Sequence, residues 1–168
     1  MAEATADELR QLADLKAAVY PDPPESYPET AREWTRPAWG VFVRVDGLLV
    51  SHTGVVVRDI LVDGARVPGG GIGGVVTHPD HRGKGYAPLG MGRALDFLVG
   101  QSVTFALLAC RDELVAYYEA LGWKSFRGTT LNTQYGVPEV FEHNNVMVGD
   151  VAGTAPSNGT IDLLGPAW

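Results

Sequence analysis

The chain has 168 residues, of which 45% are hydrophobic and 20% charged, and its formal net charge is −7. A chain of this length reads as one domain, 1–168, with core enough to need no disulfide or structural metal. The acid excess argues against nucleic-acid binding, where phosphates call for Lys and Arg, and no run approaches the roughly 18 apolar residues of a membrane span.

Thr5-Ala-Asp-Glu8 has the form of a capping box. Leu9, Leu12, Leu15 and Val19 follow at helical spacing, which predicts an amphipathic helix over 6–19, ended by Pro21, Pro23 and Pro24. A Pro- and Glu-rich connection runs to about residue 36, with a short helix near 29–34. Val41, Val43 and Val45 alternate with Phe42 and Arg44, and Gly47 turns the chain into a β-branched run over 48–57, a hairpin. Asp63-Gly64 reads as a second turn, leading to a third strand over 66–77. That strand carries Gly69, Gly70, Gly71, Gly73 and Gly74, a composition that marks a bulge or a close approach by another group.

Helical spacing returns over 86–99, with Pro88 in the first turn, where the missing amide costs nothing. Residues 103–109 read as a buried strand. Residues 111–121 read as a helix with Leu114, Tyr117, Tyr118 and Leu121 on one side, closed by Gly122. Residues 123–127 and 146–151 read as late strands joined by a polar connection. The order of elements gives an α/β (α+β) domain with a mixed sheet.

The chemistry concentrates where the third strand runs through Val75, Val76 and Thr77 into Arg82-Gly83-Lys84-Gly85-Tyr86-Ala87 at a helix start. Two alternating glycines let successive amides point into one concavity, and the helix dipole, Arg82 and Lys84 add positive charge. The segment reads as a pyrophosphate site or as an exposed turn with solvated bases. It is neither the ATP-binding loop nor the dinucleotide fingerprint, whose residue spacings differ.

Arg-x-x-Gly-x-Ala after a Val-Val strand, with Pro-Asp-His before it, resembles the acetyl-CoA signature of the Gcn5-related N-acetyltransferases. Leu114-Val-Ala-Tyr-Tyr-Glu-Ala-Leu-Gly-Trp123 is similar to that family's second landmark, a helix ending in Tyr-Glu-x-x-Gly-Phe/Trp. The two landmarks span roughly residues 70–127. The resemblance implies a mostly antiparallel sheet splayed around acetyl-CoA and flanked by helices. It implies that Val75, Val76 and Thr77 pair with the pantetheine arm and that the amides of Arg82, Gly83, Lys84, Gly85, Tyr86 and Ala87 hold the pyrophosphate. It assigns Tyr118 as the acid that protonates the leaving thiolate, the alternative being a core-packing role; Tyr117 is the expected packing partner.

The sequence departs from the family pattern in two ways. It opens in a helix where most members open in a strand, and Gly73 and Gly74 occupy the neighbourhood where many members carry a Glu as general base. More loosely, Trp123-Lys-Ser-Phe-Arg-Gly128 resembles a segment of the aminoglycoside 2′-N-acetyltransferases, whose fourth-strand Glu aligns with Gly73. Those enzymes too end in a tryptophan whose carboxylate lies near the acceptor, and Trp168 stands in that place. The implied acceptor is a cationic small-molecule amine, aminoglycoside-like or polyamine-like, met by Glu139, Glu142 and Trp168; His143 and Asp162 are further candidates, and each of these residues also reads as plain surface. Charge by segment agrees with this: residues 1–40 hold eight acids and four Lys/Arg, 128–168 hold four acids and none, and the middle is balanced.

Other readings stay open: a non-catalytic acyl-CoA-binding module, transfer to protein amino groups, and a longer acyl donor. No metal is expected, since the His78–His81 pair with Asp80 lacks a third ligand. Cys110, the only cysteine, precludes an internal disulfide and reads as a packed small hydrophobe, with a lowered thiol pKa as the alternative. The acidic start lacks a basic-then-apolar leader, so a cytoplasmic location is expected. A homodimer is left open by the family resemblance.

Overall fold

The computed structural model describes residues 5–20 and 32–168. Its first element, α1 (Ala6–Val19), starts on the predicted capping box. The Glu8 amide donates to Thr5 Oγ1 at 3.2 Å, and the Thr5 amide donates to Glu8 Oε2 at 2.8 Å. These bonds, with Arg44 beside them, hold the Glu8 carboxyl below its usual range. Leu15 is the α1 side chain that becomes fully buried, against Leu49 and Val76. Of the short helix expected near 29–34, residues 29–31 lie outside the described residues and 32–34 are not helical.

Three antiparallel strands follow: β1 (Trp39–Val45), β2 (Leu48–Val62) and β3 (Ala65–Thr77). Both turns place two residues in the left-handed region, Asp46-Gly47 at φ 51° and 84° and Asp63-Gly64 at 48° and 81°. Such turns match the twist of the flanking strands, which is why Asp-Gly signalled a hairpin. After a short 3₁₀ turn at Pro79–His81 come α2 (Tyr86–Gly100), β4 (Phe105–Cys110), a second 3₁₀ turn at Asp112–Leu114, α3 (Val115–Ala120) and β5 (Lys124–Ser125). The third predicted helix is thus one and a half turns of α-helix behind a tighter turn.

The polar connection after 127 is structured. It contains the hairpin β6 (Thr129–Gln134) and β7 (Val137–Val140), followed by β8 (Asn145–Asp150) and β9 (Thr160–Asp162). In β6 the residues that point inward are Thr130, Asn132 and Gln134, so alternation is present with polar residues on the buried side. A hydrophobic pattern search cannot find such a strand.

Among the described residues nine strands form one sheet, ordered β5-β8-β4-β3-β2-β9-β6-β7, with β1 also on β2. Pairing is antiparallel except for β3 with β4 and β6 with β9. One face packs Val55, Ile72, Ala106 and Leu108 against Met91, Ala94 and Leu98 of α2. Val56, Ile60, Leu107 and Val148 belong to a second cluster with Phe141, Ile161 and Trp168. Each fully buried side chain of this size stabilises the fold by roughly 1.5–3 kcal/mol.

Candidate active site

The parallel ladder between β3 and β4 is short: Gly70 to Ile72 pair with Ala106 to Leu108. Beyond it the two strands part. Val76 and Thr77 keep β2 as their neighbour, and Ala109 and Cys110 keep β8. Strand edges that stop pairing leave backbone donors and acceptors facing an opening, where an extended ligand can complete them.

A bulge accompanies the parting. His52 pairs with Val76 and Gly54 with Gly73, so Thr53 faces two residues, Gly74 and Val75. Gly74 sits at φ 57°, which glycine adopts without strain. The extra residue shifts the phase of the strand: Val75 packs on the α2 side with Ile72, while Val76 turns under α1. His52 holds the bulge. Its Nδ1 lies 2.8 Å from the Gly74 carbonyl, which only accepts, so Nδ1 carries the proton. Burial pushes the ring's pKa down, against the pull of that bond, and keeps it neutral. Sequence reasoning misses His52, because one histidine in an apolar strand has no signature.

Arg82, Gly83, Lys84 and Gly85 form an exposed loop at the start of α2, with Gly83 at φ 73° and Gly85, the N-cap, at φ 77°. Gly85 supplies no side-chain cap, so the amides of the first turn remain directed outward, where the helix dipole favours an anion. Pro88 falls in this first turn as predicted. Lys84 Nζ donates to the Asp80 carbonyl at 3.0 Å and Arg82 Nε reaches the Thr77 carbonyl at 3.4 Å, fixing both cations beside the loop.

Tyr118 is buried at 7% exposure and Tyr117 is 39% exposed. The expectation that Tyr117 does the packing is therefore reversed: Tyr118 points into the cluster with Leu108, Cys110 and Trp123, and Leu121 is exposed with Tyr117. Burial, with smaller contributions from Cys110, Tyr117 and Tyr20, pushes the Tyr118 hydroxyl far above its ordinary value, so it is a neutral proton donor at physiological pH. Cys110 is buried, and its thiol is raised by burial, Asp112 and Glu113. The alternative of a lowered thiol pKa is overturned.

The C-terminal segment returns to the parting of the strands. The Leu163 amide donates to Leu131 and Gly165 accepts from Thr133, carrying the segment along β6. Thr35 and Arg58 then grip it. The Thr35 amide donates to the Ala167 carbonyl, Arg58 donates to the Pro166 carbonyl at 2.6 Å and to Thr35 Oγ1 at 2.9 Å, and its guanidinium lies 4.8 Å from the Trp168 ring centre. Desolvation pulls Arg58 down to about 10, leaving it charged at neutral pH. Trp168 Nε1 donates to the Leu107 carbonyl at 3.1 Å. A Cβ on Gly71 would overlap the indole, and a Cβ on Gly73 would sit 2.9 Å from the main-chain carbonyl carbon of Trp168. Gly71 and Gly73 are therefore explained by the residue that approaches them, while Gly69 faces Ile60 and Gly70 faces Leu98 and Val103.

The other predicted acceptor residues are dispersed. Glu139, on β7, is ion-paired with Arg32. Asp162 accepts from the Leu164 amide, and the His143 ring lies 6.1 Å from Trp34. Glu142 is exposed next to Phe141, which lines a small cavity together with Trp168. His78 and His81 meet edge to face with ring centres 5.7 Å apart, and among the described residues no three His, Cys, Asp or Glu side chains converge on a metal position. No helix among them is long and apolar enough to cross a membrane.

Comparison with known proteins agrees with this arrangement. Residues 1–126 match the family model described as an acetyltransferase (GNAT) domain. A search of curated proteins returns no match. A GNAT family acetyltransferase from Brucella melitensis, solved with acetyl-CoA, superposes with a TM-score of 0.62 at 16% identity, covering 95% of this chain and 92% of that one. An aminoglycoside 6′-N-acetyltransferase complexed with coenzyme A gives 0.58 at 16% identity over 90% and 95% of the two chains. A GCN5-related N-acetyltransferase from Kribbella flavida gives 0.58 at 21% identity over 74% of this chain, which spans only 33% of that protein's length. At these identities the superpositions establish the fold, and the family model establishes the lineage: the chain belongs to the GNAT acetyltransferases.

Proposed function

We propose that the chain transfers the acetyl group of acetyl-CoA directly to the amine of a small cationic acceptor, of aminoglycoside or polyamine type. The donor lies in the opening between β3 and β4, with its pantetheine along Val75, Val76 and Thr77 and its pyrophosphate on the amides of Arg82, Gly83, Lys84, Gly85, Tyr86 and Ala87. The acceptor's neutral amine attacks the thioester carbonyl carbon, so that a C–N bond forms and the C–S bond breaks. Where Trp168 is the last residue of the chain, the amine proton passes to its α-carboxyl. The departing thiolate takes the Tyr118 hydroxyl proton and leaves as CoA thiol, and exchange with solvent restores both groups.

The observation that carries this reading is the main-chain carbon of Trp168 seated against Gly73. Family members with a glutamate on this strand deliver a carboxylate to this neighbourhood from a side chain. Here the strand holds glycine, and the returning segment brings the Trp168 main chain to the same place. A cationic acceptor is supported by the acid excess of the flanking segments and by exposed Glu142 beside Phe141; Glu139 would join it only by exchanging Arg32 for the ligand.

The test is CoA release by purified protein given acetyl-CoA and a panel of aminoglycosides and polyamines, with intact mass measured to establish where the native chain ends. Adding one residue after Trp168 displaces the carboxyl and keeps the indole; kcat is expected to fall by about 10² or more, the usual worth of a general base. An unchanged kcat would remove the carboxyl from the chemistry. Saturable acetyl-CoA binding with no turnover on any amine would instead indicate a non-catalytic acyl-CoA-binding module.

A further inference from the structure

The indole of Trp168 has a task separate from that of its carboxyl. It covers Gly71 on β3 and donates to the Leu107 carbonyl on β4, and Gly71 and Leu107 are register partners. One residue further on, at Ile72 and Leu108, the parallel ladder ends and the strands part. The indole thus lies over the paired residues that border the opening, hydrogen-bonded and under the Arg58 guanidinium. Beside it remains a cavity of about 10 Å³, walled by Leu107, Leu108, Ala109, Phe141, Ala167 and the indole itself. Space of this size holds about one water-sized group. Its walls are apolar apart from Thr130, so a methyl suits it and a longer chain does not.

We infer that the Trp168 indole is the stop that limits the donor's acyl group to acetyl. The inference rests on the reading that the acyl-CoA thioester lies between β3 and β4. Longer acyl groups would meet the ring, which cannot swing aside without losing its bond to Leu107 and its contact with Arg58. The transfer chemistry itself is the same for any acyl thioester.

Calorimetric titration of the whole protein with CoA, acetyl-CoA, propionyl-CoA and butyryl-CoA tests this without an acceptor. In the wild type, acetyl-CoA is expected to bind at least about tenfold more tightly than butyryl-CoA, the discrimination one or two methylenes command in a filled apolar site. Trp168→Ala, which retains the main-chain carboxyl, is expected to bring that ratio to near one, and Trp168→Phe to admit propionyl-CoA while still disfavouring butyryl-CoA. Ratios within one variant do not depend on how much of it is folded, and Trp168→Phe guards against collapse of the alanine variant. Equal affinities in the wild type, or a ratio that neither variant moves, overturns the inference and leaves the donor site intact. Failure of every CoA species to bind overturns the donor-site reading itself.

Discussion

Tyr117 and Tyr118 are adjacent on a helix of only six residues, and side chains one position apart lie about 100° from each other. Only one of them can pack into the cluster that holds Ile72 of β3 and Leu108 of β4, and it is Tyr118. The motif singles out Tyr118, which is the buried one of the pair, but the apolar stripe drawn through both was too wide, since a short helix has no second turn to confirm which side is buried. The environment of Tyr118 also fixes the sign of its pH dependence. In the proposed mechanism its proton is the one transferred, and burial raises the pH at which that proton is lost. The alkaline fall in kcat that a tyrosine acid imposes is therefore displaced upward, beyond the ordinary value of about 10. We expect kcat to show no Tyr-dependent decline between pH 7 and about 9.5, and Tyr118→Phe to lower kcat by roughly 10²-fold throughout that range. A Phe variant with unchanged kcat on an active substrate would exclude Tyr118 as the acid.

At the scale of elements, the family landmarks and the turns were legible because each is local: Asp-Gly for the two hairpins, the Thr5 capping box, the glycines ahead of α2. The run Gly69 to Gly74 announced a close approach without saying by what, because for Gly71 and Gly73 the answer lies in the C-terminal segment, 97 residues from Gly71. The strand that guides this segment, β6, buries Thr130, Asn132 and Gln134, and Gln134 is satisfied by both backbone groups of Glu33. Polar residues with partners so distant in sequence look like loop. The same distance makes the grip of Arg58 and Thr35 on residues 166 and 167 a positioning device that acts on the proposed base from behind. Arg58→Met should keep apolar contact with the indole but lose the hydrogen bonds. We expect kcat to fall roughly tenfold or more, as small misplacements of a catalytic group do, with KM for acetyl-CoA changed by no more than about twofold. Arg58→Lys should restore part of kcat. A loss confined to thermal stability, with kcat of the folded fraction intact, would make Arg58 structural only.

Across the whole molecule, the acid and the proposed base belong to different core clusters, Tyr118 with α2 and Leu108, and Trp168 with Leu107 and Phe141. Strand β4 contributes to both clusters, Leu108 to one and Leu107 to the other, and in the proposed direct transfer donor and acceptor must be bound together. The alternative is a covalent relay through a thiol, and the chain has one cysteine, Cys110, in the Tyr118 cluster at the end of β4. A relay needs a thiolate, and this thiol is pushed up by burial and by Asp112 and Glu113, which works against ionisation. Direct transfer therefore predicts initial-rate lines that intersect when donor and acceptor are varied together. It also predicts no gain in protein mass on incubation with acetyl-CoA alone, and kcat within about threefold of wild type for Cys110→Ala, whose main cost is packing. Parallel lines together with an acetyl group on Cys110 would replace direct attack by a two-step relay and would reassign the role of the buried tyrosine beside it.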